Sequence, residues 1–361
     1  MIGTRPEAIK LSPVVRALDA PLVFVTGQHR EMLEPILQDL GIVPDENLDV
    51  MRADQPLADL AAEVLRGMRR LIVKHRPRRL IVQGDTTSAA MSALAAFYER
   101  VPVAHVEAGL RTHRRDDPFP EEVNRSLIAR VADLHFAPTP LARENLTKEG
   151  IDPATVHVVG NTVIDALIHA RDELVPRLAP DPLDALPRPG RQLVLVTLHR
   201  RESFGADLAA TVEGVARLAR AFPDAVDLLF PVHRNPNVRA VVEQRLANIP
   251  NLRLVEPLGY VRFVSLMLRA RLIVTDSGGI QEEASFLGVP VLVTRRATER
   301  PEAIEAAVAQ KTDADAEVLF DAAAELLGNE AAHRARAVPT TAFGDGTAAA
   351  KIADRLRRSE P

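Results

Sequence analysis

Residues 271–288 read RLIVTDSGGIQEEASFLG. The opening RLIVT is a short run dominated by Leu, Ile and Val. That is the pattern of a parallel strand covered on both faces, not the alternation of a strand with one wet face. It runs directly into Asp276-Ser277-Gly278-Gly279. Paired glycines let the backbone approach a ligand closely, and the helix that follows offers unpaired N–H groups and the positive end of its dipole. Gly288 closes that helix. The same residues admit a plainer reading, in which Asp276 or Ser277 caps a helix and nothing binds. The motif alone does not choose between them.

Outward from this stretch the unit repeats. Short apolar runs at 193–198, 227–232, 252–255, 271–275 and 290–294 alternate with longer helical patterns, as do earlier runs at 21–26, 79–83, 102–106, 134–138 and 156–159. Strand and helix in regular alternation predict doubly wound α/β sheets, here two Rossmann-like domains. A helix near 162–178 and the proline-rich stretch 176–189 separate the two sets, and that stretch is the candidate linker or domain-edge loop. The predicted domains are 1–165 plus 347–361, and 166–346. The helix around 347–358 is expected to cross back to the first domain through Ala350, Ile352, Ala353 and Leu356. Gly3-Thr4-Arg5-Pro6-Glu7 reads as a tight loop entering a helix, with Pro6 at its first position. Only Met1 and Ile2 precede it, so the strand expected before such a loop is predicted to be missing.

The chain has 361 residues, enough for two domains that each bury a core. Hydrophobic residues make up 47% and charged residues 26%, an ordinary soluble balance. A net charge of -4 makes no general case for nucleic acid or an anionic membrane, so any anion must be held by local positive groups. There are no cysteines, which excludes disulfides, thiolate metal sites and cysteine nucleophiles. With neither a leader pattern nor an apolar run long enough to span a bilayer, a cytoplasmic enzyme is the expectation.

Chemistry clusters after the strands. Gly84-Asp85-Thr86-Thr87, Glu107-Ala108-Gly109-Leu110-Arg111, His199-Arg200-Arg201-Glu202, His233-Arg234-Asn235-Pro236 and Asp276-Ser277-Gly278-Gly279 each follow an apolar run. Ligands of open α/β sheets sit outside the carboxyl ends of the strands. Turns are rich in Gly, Asp and Ser for their own reasons, but that explains His and Glu poorly. The candidate acid–base groups are Asp85, Glu107, Glu121, Glu122 and His199. Arg5, Arg200 and Arg201 could clamp phosphates, although any single arginine is commonly a solvated surface residue. Asp85 could equally be a turn residue, Glu107 a partner of Arg111, and His105 a core histidine. The His and carboxylate spacings match no metal motif.

Together these segments resemble the non-hydrolysing bacterial UDP-N-acetylglucosamine 2-epimerase family. The matching pieces run in order over nearly the whole chain: GTRPEAIKLSPVV, TGQHREML, GDTTS, HVEAGLRT, PFPEEVNR, VVGNTVIDAL, VTLHRRESFG, PVHRNPNVR, VTDSGGIQEEA, LGVPVLV, ATERPEA and FGDG. The resemblance implies a fold similar to the B-type glycosyltransferases, with the two domains facing a cleft. It implies reversible epimerisation at carbon 2, by elimination and re-addition of UDP through 2-acetamidoglucal, with no cofactor and no metal. Carried over by motif, Asp85, Glu107 and Glu121 would be the acid–base residues and His199 would lie near the leaving diphosphate. Arg5, Arg200, Ser277, Gly278 and Gly279 would hold phosphate, Glu283 would take the ribose hydroxyls, and His233 would line the same pocket. Asp85, Glu107 and Glu121 are expected to converge across the cleft from Ser277 and His199. Gln28 and His29 match part of a second, activating site for UDP-N-acetylglucosamine. A homodimer is implied, and neither nucleic acid nor membrane is an expected partner.

Three departures stand out besides the short amino terminus. Ala307-Val308 replaces a Gly-Thr pair, the apolar strand expected next is the polar stretch 310–316 (QKTDADA), and Leu198 stands where a small residue is frequent. The polar stretch puts closure of that part of the pocket in question. A hydrolysing 2-epimerase, a B-type glycosyltransferase and an inactive UDP-sugar-binding paralogue are the alternatives.

Overall fold

The structure, a computed structural model, describes residues 1–27, 30–50, 52, 55–198, 205–233, 235–295 and 299–359, with side chains 30–32 and 237 also left aside. The chain divides into two units, Met1–Ile168 with Phe343–Pro361, and His169–Ala342.

In the first unit the strands are β1 (Phe24–Val25), β2 (Glu46–Asn47), β3 (Leu80–Gln83), β4 (Val103–Val106), β5 (Leu134–Ala137) and β6 (Val156–Val158). Strands β3-β4-β5-β6 form a parallel sheet, and β1 pairs parallel with β2. Met1 and Ile2 take the place between the two groups. Ile2 N–H donates to the Phe24 carbonyl at 2.8 Å, Thr26 N–H donates to the Ile2 carbonyl at 3.1 Å, and the Met1 ammonium donates to the Ile81 carbonyl at 2.9 Å. No strand precedes the helix Arg5–Ala17, as expected, but two extended residues, with Ile2 in a single bridge to Val25, suffice to hydrogen-bond on both sides. Reading across gives β2, β1, Ile2, β3, β4, β5, β6, so winding reverses direction between Ile2 and β3.

The second unit holds β7 (Gln192–Thr197), β8 (Val226–Pro231), β9 (Leu252–Val255), β10 (Ala270–Thr275), β11 (Val291–Val293) and β12 (Ala309–Lys311). All pair in parallel in the order β12-β11-β10-β7-β8-β9. The chain runs outward from β7 to β9, then returns to β10, so the switch point lies between β7 and β10, where Thr197 pairs with Thr275. Val194, Val196, Leu228, Phe230, Leu272 and Val274 are fully buried against Val212, Val215, Val238, Val242 and Leu319 of the covering helices. Each such side chain contributes about 1.5–3 kcal/mol by leaving water.

Three expectations change in detail. A short strand does form there, Ala309–Lys311, taking in only the first two residues of the polar stretch 310–316, with Val291 opposite Ala309 and Val293 opposite Lys311. As an edge strand, β12 needs to bury only Val308, Ala309 and Thr312, and its outer face tolerates polar groups. The stretch 176–189 packs on the edge of the second unit through Leu183 and Leu186, and Asp227 accepts the Arg188 N–H at 2.8 Å. The carboxyl-terminal helix, Ala348–Arg358, packs on Arg5–Ala17. Its buried face is Ala349, Ile352, Ala353 and Leu356 with Ala348, while Ala350 is exposed. The i, i+3, i+4, i+7 stripe begins at Ala349, one step round from the position expected.

Candidate functional site

The first unit brings charge to its own switch point. The loops that leave Ile2 and β3 are tied by one side chain. Glu7, 1% exposed, accepts the Gly3 N–H at 2.9 Å and the Thr86 hydroxyl at 2.8 Å. Burial pushes the Glu7 carboxyl up to about 6, against the pull of those bonds. Arg5 is the first residue of the helix Arg5–Ala17 and is half-buried in the same loop.

Asp85 follows β3. Its carboxylate pairs with the buried guanidinium of Arg125 at 2.7 Å, and its carbonyl accepts from Asn124 at 2.9 Å. Both partners lie on the helix Glu121–Val131, which begins with the half-buried Glu121. Glu122 stands apart from solvent: it accepts the Thr112 and His113 N–H groups and pairs with Arg125 at 3.3 Å. It serves the loop and not an open site.

Glu107 follows β4 with φ 65°, a left-handed conformation that costs a non-glycine residue about 1–2 kcal/mol. Residues held in this way cluster at functional sites. Its carboxylate is 9% exposed at the residue level and accepts from Lys10 at 2.5 Å, from Asn161 at 2.8 Å and from Gln83. Arg111 does not pair with it. That guanidinium bonds both carboxylate oxygens of Glu149, at 2.7 and 2.8 Å. His105 is a buried core residue as expected. Desolvation pushes it down to about 3, so it is neutral, and its Nε2–H donates to the Gly84 carbonyl at 2.7 Å, fixing the residue before Asp85.

In the second unit the loop after β10 opens the helix Gly278–Leu287. Ser277 is its N-cap residue but makes no side-chain cap bond among the described residues, and its own N–H donates to Thr275 Oγ1 at 2.9 Å. The Ser277 side chain therefore does not cap this helix. A Cβ on Gly278 would fall 2.6 Å from the Arg300 guanidinium, whereas one on Gly279 would meet no described atom within 4 Å. Gly278 thus lets an arginine approach closely, and Gly279 leaves the helix start open on that side. Arg300 is held by Glu282 at 2.9 Å and Glu299 at 3.3 Å, and Arg295 pairs with Glu299 at 2.8 Å. All four are buried. A helix start with free N–H groups and a buried guanidinium beside it is a place for an anion. Glu283 is buried one turn on and accepts the Tyr260 hydroxyl at 2.8 Å. His233, after β8, is half-buried and accepts the Asn235 N–H at 3.2 Å. Gly288 closes the helix at φ 69°.

His199, Arg200, Gln28 and His29 lie outside the described residues. In the first unit, Val25, Gly27, Leu33, Leu37, Ile42 and Asn47 line a cavity of about 230 Å³. Among the described residues no three His, Asp or Glu side chains are grouped to hold a metal ion, and no helix is long and apolar enough to cross a membrane.

Lys10, Arg125, Tyr260 and Arg300 were not singled out from sequence. Lys10 carried a faint signal: it falls three residues after Glu7 on a helix face otherwise shared by Leu11 and Val14. Arg300 lies in the quoted ATERPEA, where nothing local distinguishes it from a surface arginine.

A family model described as UDP-N-acetylglucosamine 2-epimerase matches residues 17–357. The UDP-N-acetylglucosamine 2-epimerase of Escherichia coli strain K12 is 41% identical over 368 residues, covering 99% of this chain and 98% of that one. The crystal structure of UDP-GlcNAc 2-epimerase from Neisseria meningitidis bound to UDP-GlcNAc is similar at TM-score 0.94 and 36% identity, over 99% of this chain and 98% of that one. A glycotransferase of kitacinnamycin shares the fold at TM-score 0.63 and 14% identity, over 99% of this chain and 95% of that one.

Proposed function

The chain belongs to the UDP-N-acetylglucosamine 2-epimerase family of isomerases, and from that premise we propose that it interconverts UDP-N-acetylglucosamine and UDP-N-acetylmannosamine by eliminating and re-adding UDP. A base removes the proton at carbon 2 as the bond from carbon 1 to the diphosphate oxygen breaks, leaving 2-acetamidoglucal and UDP. A proton then returns to the opposite face of carbon 2 while the diphosphate oxygen re-forms its bond to carbon 1. Atoms and electrons balance without an oxidant. The second unit holds UDP: diphosphate at Ser277, Gly278 and Gly279 with Arg300 and Arg200, and ribose at Glu283, with His233 in the same pocket; Arg5, from the first unit, adds a further contact to the phosphates. His199 stands near the leaving diphosphate. The first unit supplies proton transfer through Asp85, Glu107 and Glu121, with Lys10 and Arg125 as cationic partners of two of them.

The observation that carries this reading is the complementary chemistry of the two switch points. One offers open helix N–H groups and a buried arginine, suited to an anion. The other gathers carboxylates, two with buried cations, suited to moving a proton. The test is incubation with UDP-N-acetylglucosamine in deuterated water. The expected product is UDP-N-acetylmannosamine carrying deuterium at carbon 2. Release of free N-acetylmannosamine and UDP would identify a hydrolysing enzyme. Epimer without deuterium would point to a proton shielded from solvent or to a different route, such as transient oxidation, and tight binding without turnover to an inactive paralogue.

We also infer a homodimer, supported by apolar side chains that neighbouring helices leave exposed, among them Phe97, Tyr98, Val123 and Leu127. We further propose, from the family resemblance of the segment TGQHREML, that Gln28 and His29 bind a second, activating molecule of UDP-N-acetylglucosamine. Sigmoidal dependence of rate on that substrate, lost in Gln28→Ala, is the expected sign.

A further inference from the structure

Tyr260 is the first residue of the helix Tyr260–Met267, preceded by Gly259 as its N-cap. It is 4% exposed, and its phenol donates to Glu283 Oε1 at 2.8 Å, from the helix Tyr260–Met267 to the helix Gly278–Leu287. A carboxylate as buried as Glu283, 5% exposed, is costly to keep unless donors satisfy it. A hydroxyl donating to a charged oxygen makes a bond roughly twice as strong as a neutral one. Such a bond also removes rotational freedom. A glutamate has three side-chain torsions, and pinning Oε1 fixes where Oε2 points.

The spacing gives that direction a use. Glu283 lies five residues beyond Gly278 on the same helix, which at 1.5 Å per residue is about 7.5 Å along the axis. A ribose bridging a diphosphate at Gly278 and the Glu283 carboxylate fits within that span. We propose that Tyr260 is a positioning residue that holds Glu283 in the orientation that accepts the ribose diol. The proposal rests on the reading of Glu283 as the ribose acceptor.

The experiment compares affinities for UDP and for 2′,3′-dideoxy-UDP in the unaltered protein, in Glu283→Gln and in Tyr260→Phe. Dideoxy-UDP keeps uracil and diphosphate, so it controls within each variant for damage to the fold. The unaltered protein is expected to prefer UDP by roughly tenfold to a hundredfold, the range of hydrogen bonds to a charged group. Tyr260→Phe should bind dideoxy-UDP normally and lose most of the preference, as Glu283→Gln does. If Glu283→Gln loses the preference and Tyr260→Phe keeps it, Tyr260 does not position the carboxylate and the ribose reading stands. If Tyr260→Phe weakens both nucleotides equally, its role is structural and the proposal is overturned. An undiminished preference in Glu283→Gln overturns the ribose reading and the proposal with it.

Discussion

Glu107 pays for its place in backbone strain, and three donors hold it there. Removing its proton-transfer ability without changing its shape is the direct test of its role. Glu107→Gln and Asp85→Asn should each lower kcat by about a hundredfold to ten-thousandfold, while calorimetry finds UDP affinity within a few-fold of normal. Near-normal turnover would remove both residues from the mechanism. Glu7 makes a different prediction. Its folded pKa of about 6 lies above the ordinary 4.5, so the folded state binds more protons between those values. The stability gained is present below pH 4.5 and is lost as pH rises through 6. At 1.36 kcal/mol per unit this amounts to about 2 kcal/mol. Relative to Glu7→Gln, the first unit of the unaltered protein should gain about that much on going from pH 7 to pH 4.5, measured by urea unfolding at both. A difference that does not change with pH would contradict it. At this scale motif order singled out Asp85, Glu107, Ser277 and Glu283, whose neighbours in sequence are as distinctive as they are. Lys10 and Arg125 escaped because a charge on a helix declares itself buried only once the packing around it is known.

At the scale of elements, apolar runs were legible wherever a strand is covered on both faces, as β7, β8 and β10 are. They failed at the margins. β2 is Glu46–Asn47, with no apolar residue to mark it, and its register comes from Phe24 and Val25 alone. The strand β12 looked unlikely to form for the same reason, yet an edge needs only one buried side. The turn before it shows what its sequence change costs. Ala307 has φ 59°, in the region that glycine enters freely. Ala307→Gly relieves about 1–2 kcal/mol of steric strain and returns about 0.4–1 kcal/mol through the freer unfolded chain. The expected net is a gain of about 0.5–1 kcal/mol, read as a higher urea midpoint with unchanged slope. A lower midpoint would mean that the alanine methyl packs well enough to outweigh its strain.

Over the whole molecule, the doubly wound sheets followed from alternation of strand and helix, whereas the strand order became visible only in the structure. Association is a separate matter. Tyr98 is 63% exposed and Leu127 50%, on helices that pack against each other. Charges placed there should oppose a partner without touching the core. Tyr98→Asp with Leu127→Asp is expected to shift the protein from dimer to monomer in analytical ultracentrifugation, with its melting profile largely kept. An unchanged dimer would mean that another face associates.

The first unit is made from both ends of the chain, with the second unit inserted between Ile168 and Phe343. During synthesis the ribosome therefore delivers the second unit complete before the first can close. Until the helix Ala348–Arg358 emerges, the Arg5–Ala17 helix has an uncovered flank and the Asp165 carboxylate lacks the Ala349 N–H that it accepts at 2.9 Å. We predict that a nascent chain stalled after Ala342 resists protease across the second unit and is cut within the first. Equal protection of both would show that the first unit closes without its last helix. The order of manufacture thus runs against the order of the units, and the earliest-made segment waits longest for its partner.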